Sequence, residues 1–147
     1  MTDGSTVVFR PRQVRGAALA IGVIVLVATL IAAVLVSREL SPVDGVLFVA
    51  FGAAIFAFCW REATVRLEAR ADAVVVRNLF TTRRLEWPEI IGVSFPQGDP
   101  WAHLDLADGE TLAVMAIQRS DGERGIADGR RLARLVRERG EARDPLG

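Results

Sequence analysis

The sequence predicts an N-terminal two-helix transmembrane hairpin followed by a small all-β domain, a partial barrel or sandwich, capped by a C-terminal α-helix. Three observations predict it. Residues 16–37, "GAALAIGVIVLVATLIAAVLVS", carry no charge over 22 positions. Beyond Arg61 the apolar residues alternate with period two, the signature of half-buried strands. From Ser120 to Arg139 the period becomes helical.

Composition sets the frame. At 147 residues the chain has room for one modest domain plus accessory segments. Apolar residues make up 51% and charged residues 24%, and with a mean hydropathy of +0.30 the two kinds must be segregated along the chain. All 18 basic residues are Arg, and they balance 18 acidic ones. Nucleic-acid binding driven by bulk charge is therefore not expected. The single Cys59 lies inside an apolar run, which excludes an intrachain disulfide and a cysteine cluster for zinc.

The first span, 16–37, reaches roughly 33 Å as a helix at ~1.5 Å per residue, enough for a bilayer core. It is longer than the apolar core of a signal peptide, and no small-x-small cleavage pattern follows it. A second span, 43–60, ends at Trp60, a residue favoured at the membrane interface. Pro42 cannot continue the first helix, so the connection is a tight reversal. Arg10, Arg12 and Arg15 precede the first span and Arg61, Arg66 and Arg70 follow the second, whereas the connection holds only Arg38 beside Glu39 and Asp44. This bias predicts a multi-pass protein of the cell (inner) membrane with both termini cytoplasmic. The cores of the two spans, 16–37 and 45–60, carry no acid or base, so an anchor is expected rather than a transport path. Gly16, Gly22, Gly45 and Gly52 would let the helices approach closely. The expected organisation is a cytoplasmic tail 1–15, the hairpin 16–61, a β domain 62–139 and a flexible tail 140–147.

Within the β domain, "ATVRLEAR" alternates Val65, Leu67 and Ala69 with Arg66, Glu68 and Arg70. "DAVVVRNLF" continues as a second strand after a turn at 70–73, "RRLEW" reads as a third and "EIIGVSF" as a fourth, divided by Pro88. After the breaker-rich "PQGDP", two alternating runs flank Asp108-Gly109, a strong hairpin signal. About six strands result. The final helix carries Ile126, Leu132, Leu135 and Val136 as its apolar stripe, with Gly125 and Gly129 weakening its start.

"VVVRNLFTTRRLEWPEIIGVSF" and "PWAHLDLADGETLAVMAIQ", with the Arg84, Trp87 and Ile90 step and the preceding hairpin, resemble the bacterial pleckstrin-homology-like (PH-like) domain of actinobacterial membrane proteins. That family includes the low-molecular-weight protein antigen. The resemblance covers roughly 62–139 and implies a PH-like fold on a membrane-associated protein, without a catalytic mechanism. Relatives that read phosphoinositides place a basic cluster, usually with Lys, around the first strand and its turn. Here that region holds Arg66, Arg70 and Arg77 interspersed with Glu68 and Asp72.

Candidate sites follow. Arg77, Arg83 and Arg84 surround a predicted turn and are the candidate contact for anionic lipid headgroups, with cross-strand pairing to acids as the competing reading. Trp101, in a breaker-rich loop, is the candidate anchor for a protein partner. Trp87 is expected in packing. His103 lacks the accompanying groups of a triad or metal site, and Glu86 and Glu89 sit at an ordinary strand end. We therefore expect no catalysis, no metal and no cofactor. The expected function is a membrane-anchored, non-catalytic module for protein or peptide binding on the cytoplasmic face. Binding of anionic lipid headgroups through an arginine surface is the alternative.

Overall fold

The computed structural model describes residues 6–39 and 41–141, which form two compact units. One is a helical hairpin, residues 13–64. The other is a β domain built from residues up to Arg12 and from Val65 onward.

In the hairpin, α1 runs Gln13–Glu39 and α2 runs Pro42–Ala63. Both extend past the uncharged spans, because the flanking Arg15, Arg38 and Arg61 are good helix formers. Ser41 caps α2: its hydroxyl accepts from the Val43 amide at 3.2 Å, and its own amide donates to the Asp44 carboxylate at 3.1 Å. Pro42 occupies the first turn, where its missing N–H costs nothing.

Three of the four glycines carry the helix contact. A Cβ on Gly52 would overlap the Thr29 side chain, one on Gly22 would sit 2.9 Å from the Cys59 Cβ, and one on Gly45 would touch the Ala33 carbonyl. Gly16 faces open space. The Thr29 hydroxyl that fills the Gly52 notch donates back to the Val25 and Leu26 carbonyls, each at 2.9 Å, so the close approach buries no orphan polar group. The outer faces are apolar and unpacked, with Ile24, Leu35, Leu47 and Phe51 each more than half exposed. Both helices are long and apolar enough to cross a membrane.

The β domain has seven strands among the described residues: β1 Val7–Phe9, β2 Arg66–Ala69, β3 Ala73–Arg77, β4 Thr82–Glu86, β5 Ile90–Ser94, β6 Trp101–Leu106 and β7 Thr111–Gln118. They form two antiparallel sheets, β1-β2-β3-β4 and β5-β6-β7. α3, Glu123–Glu141, packs on β5 and β7.

The sequence reading is one strand short. β1 lies in the segment read as a tail, and it pairs with β2 in the register Val7↔Ala69 to Phe9↔Leu67. Phe9 is buried in the core. The helical hairpin is therefore inserted between two hydrogen-bonded neighbouring strands.

Other boundaries shift for local reasons. Trp87 leaves the strand and opens a 3-10 turn with Pro88 and Glu89, in which the Glu89 carboxylate accepts from the Glu86 amide. The Asp-Gly hairpin is a four-residue connection, with only Gly109 at positive φ (87°) and the Asp108 carboxylate accepting from the Glu110 amide at 2.9 Å. α3 begins later than the periodicity suggests because Gly122, at φ 63°, interrupts between a 3-10 turn at Arg119–Asp121 and the helix. The helix stripe also rotates. Gly125, Gly129, Leu132 and Val136 are buried while Ile126 is 38% exposed. Gly125 faces the sheet so closely that an added Cβ would meet the Gln118 carbonyl; the glycines that weaken the helix are what let it dock. Gly140 and Glu141 still belong to α3, and the remainder of the expected tail, 142–147, lies outside the described residues.

One core fills the domain. Leu67, Val74, Val76 and Leu85 from the first sheet meet Leu104, Val114 and Ile117 from the second and Leu132 from α3. Trp87 is fully buried at its centre, and its indole Nε1 donates to the Arg70 carbonyl at 3.1 Å. The same carbonyl accepts from Arg139, whose guanidinium lies 5.1 Å from the Trp87 ring centroid. The end of α3 is thereby tied to the turn between β2 and β3.

Candidate functional site

Arg77, Arg83 and Arg84 do not converge. Arg83 and Arg84 are consecutive on β4 and point to opposite faces. Arg83 pairs with Glu110 at 2.9 Å and Arg84 with Asp72 at 2.5 Å. Both pairs are solvent-exposed, each worth about 0.2–1 kcal/mol. An open depression of about 340 Å³ beside Arg83 is lined also by Leu85, Glu89, Leu106, Ala107 and Asp108. Its Glu89 and Asp108 carboxylates are already committed to backbone amides.

Arg77 differs. It ends β3, opposite Thr82 on one side and Arg66 on the other, and its Nε is buried without a hydrogen-bond partner. Neighbouring Arg66 and Arg70 both bind Glu68, through contacts of 2.6 Å to each carboxylate oxygen. The Arg70 hydrogen bond, aided by Arg66 and opposed by burial, holds the Glu68 carboxyl below its ordinary value. Two of the three arginines around the first strands thus share a single internal carboxylate.

Trp101 is half-buried at the start of β6, opposite Gln118 across a bulge. The loop before it is held by Arg119, whose guanidinium lies 4.5 Å from the Phe95 ring centroid and donates to the Pro96 and Asp99 carbonyls at 2.6 and 3.0 Å. Nothing in the local sequence marks Arg119 for this task. His103 Nε2 sits 3.0 Å from Asp99 Oδ2. Its neighbour across the sheet, Ser94, directs its hydroxyl instead to Asp105 at 3.4 Å.

Two features around the β3–β4 connection went unread in the sequence. Asn78 is 7% exposed, and its side chain joins the two sheets: Nδ2 donates to the Ala113 carbonyl at 2.7 Å and Oδ1 accepts from the Met115 amide at 3.1 Å. Asn78 is thus a clamp on β7. Two residues on, Phe80 is 80% exposed at the tip of the same connection.

Residues 64–135 match the family model described as "Bacterial PH domain". Uncharacterized proteins of Mycobacterium tuberculosis (strain ATCC 25618 / H37Rv) and Mycobacterium bovis (strain ATCC BAA-935 / AF2122/97) are each 49% identical over 65 residues. That stretch is 44% of this chain and 42% of each relative, so the match spans less than half the relatives' length. No solved structure matches the chain. The family match starts at the last residue of the hairpin unit and leaves out β1. Two antiparallel sheets, a C-terminal helix docked on the second of them, and the family match together assign residues 64–135 to the bacterial PH domain family.

Proposed function

We propose that the chain is a membrane-anchored interaction module, in which the helical hairpin holds the PH-like domain at the cytoplasmic face to bind a protein or peptide without catalysis. The observation that carries this reading is the insertion of the hairpin between β1 and β2. Phe9 pairs with Leu67, so the chain leaves the sheet and returns to it at one point. A segment that departs and returns at one point suits two crossings of a bilayer better than one. The uncovered apolar faces at Ile24, Leu35, Leu47 and Phe51 support the same reading, because a surface of that kind is costly in water and satisfied in lipid. The arginine bias supports the cytoplasmic orientation.

PH domains are generally non-catalytic interaction modules, which favours binding over chemistry. Arg83 and Arg84 are less available to headgroups than the sequence suggests, since each has an acidic partner; Arg77, without an acidic partner among the described residues, is the one of the three that keeps the lipid alternative in view.

Topology tests the anchor. In a Cys59→Ala background, a cysteine at Ser41 should be labelled by a membrane-impermeant maleimide in intact cells, and one at Ala71 only after permeabilisation. The reverse pattern would overturn the orientation. For the partner, a photo-crosslinker at Trp101 in intact membranes should capture one reproducible protein, and lipid adducts alone would count against protein binding.

A further inference from the structure

Phe80 is the most exposed large apolar side chain among the described residues of the β domain, at 80%. Its turn is ordered, with the Asn78 amide donating to the Thr81 carbonyl at 2.8 Å and the Asn78 side chain clamped to β7. Leu79 is tucked in at 8% exposure, so the turn projects a single aromatic ring from a rigid base.

Strand register fixes which end of the sheet carries this ring. Phe9 opposes Leu67, and the next position along β2, Arg66, opposes Arg77, the last residue before the turn. The chain departs for α1 after β1 and re-enters from α2 before β2, through residues 10–12 and 64–65. A three-residue connection spans at most about 10 Å. The sheet end that carries Phe80 is therefore the end at which the chain leaves for α1 and returns from α2. The opposite end of the sheet, at the β2–β3 turn, is separated from it by the length of five-residue β3, about 17 Å at ~3.3–3.4 Å per residue.

We propose that the Phe80 turn is a second membrane contact: its ring enters the interface of the same bilayer that the hairpin crosses, with Arg77 at its base at headgroup level. This rests on the anchor reading above. An exposed aromatic on a short turn, flanked by an arginine that has no acidic partner among the described residues, has the chemistry of an interfacial contact, apolar at the tip and cationic behind. The contact would hold the domain in one orientation to the membrane, which two short tethers alone do not impose.

Site-directed spin labelling of the full chain in lipid nanodiscs tests it, in a Cys59→Ala background with Phe80 intact. Labels at Thr81→Cys, at Ala71→Cys on the far turn and at Phe51→Cys on the hairpin are compared for collision with oxygen and with a water-soluble nickel chelate. The oxygen-to-nickel ratio at position 81 should shift toward that at position 51 and away from that at position 71, and adding Phe80→Ser should return it toward water. A label at 81 as water-accessible as that at 71, with 51 in lipid, would overturn the contact and leave the anchor standing. A label at 81 in lipid that Phe80→Ser does not move would overturn the role of Phe80. Water access at 51 would remove the anchor and this inference together.

Discussion

Replacing Asn78 with alanine should be among the most damaging single changes in the β domain. The side chain satisfies the Ala113 carbonyl and the Met115 amide on β7. Losing it strands one acceptor and one donor, each costing about 1–3 kcal/mol when buried. Ala113 and Met115 are only partly buried, so water recovers some of this. We expect a net loss of about 2–4 kcal/mol, a large share of the ~5–15 kcal/mol typical of a domain, and a fall in Tm of roughly 10–30 °C. Asn78→Asp separates the two bonds. It keeps an acceptor for the Met115 amide but sets a carboxylate against the Ala113 carbonyl, and protonation restores a donor there. That variant should be weakest near neutral pH and recover toward wild type as the pH falls through the carboxylate range. Thermal unfolding of the full chain in mild detergent, followed by tryptophan fluorescence with buried Trp87 as reporter, measures both effects. An Asn78→Ala variant within about 0.5 kcal/mol of wild type, or an Asn78→Asp variant indifferent to pH, would refute the clamp.

Gly52→Leu should separate the helices of the hairpin, because even a Cβ at position 52 overlaps Thr29; limited proteolysis in detergent should show faster cleavage, and Gly52→Ala combined with Thr29→Gly should restore resistance. Equal resistance of Gly52→Leu and wild type would count against the notch. Glu68 has a depressed carboxyl in the fold, held first by Arg70, so its contribution is present above the ordinary value of 4.5 and lost as pH falls through the lower folded value. Glu68→Gln should cost up to about 1 kcal/mol at neutral pH and flatten the acid limb of stability in urea titrations; an unchanged slope below pH 4.5 would argue that the Glu68 bridges contribute nothing.

The sequence was most legible where one residue class runs unbroken or alternates strictly. Both helices, β2, β3, β6 and β7 follow from such runs, as does the packing role of Trp87. β1 escaped because three residues carry little periodicity and their partner strand comes only after the hairpin. Ile126 was assigned to the buried face because apolarity, not backbone proximity, drives a pattern reading; the docking face turned out to hold Gly125 and Gly129, which carry no hydrophobic signal. The arginines looked like a cluster because adjacency in sequence hides the two-residue alternation that sends Arg83 and Arg84 to opposite faces. Asn78 and Arg119 owe their roles to carbonyls and amides far along the chain, which no local pattern encodes. Phe80 looked like the end of a strand, and its exposure became visible only with the turn.

The insertion of the hairpin between β1 and β2 also bears on how the molecule is made. β1 is synthesised first, the two helices next, and the partners of β1 last. With the hairpin crossing a bilayer as proposed, β1 and β2 meet only if both helices insert: a chain threaded through a single crossing leaves Phe9 on one side and Leu67 on the other, and the first sheet cannot gain its fourth strand. Completion of the domain then reports correct threading, so a misinserted chain would leave the edge of β2 unpaired. Membrane integration and β-sheet closure become one folding decision rather than two.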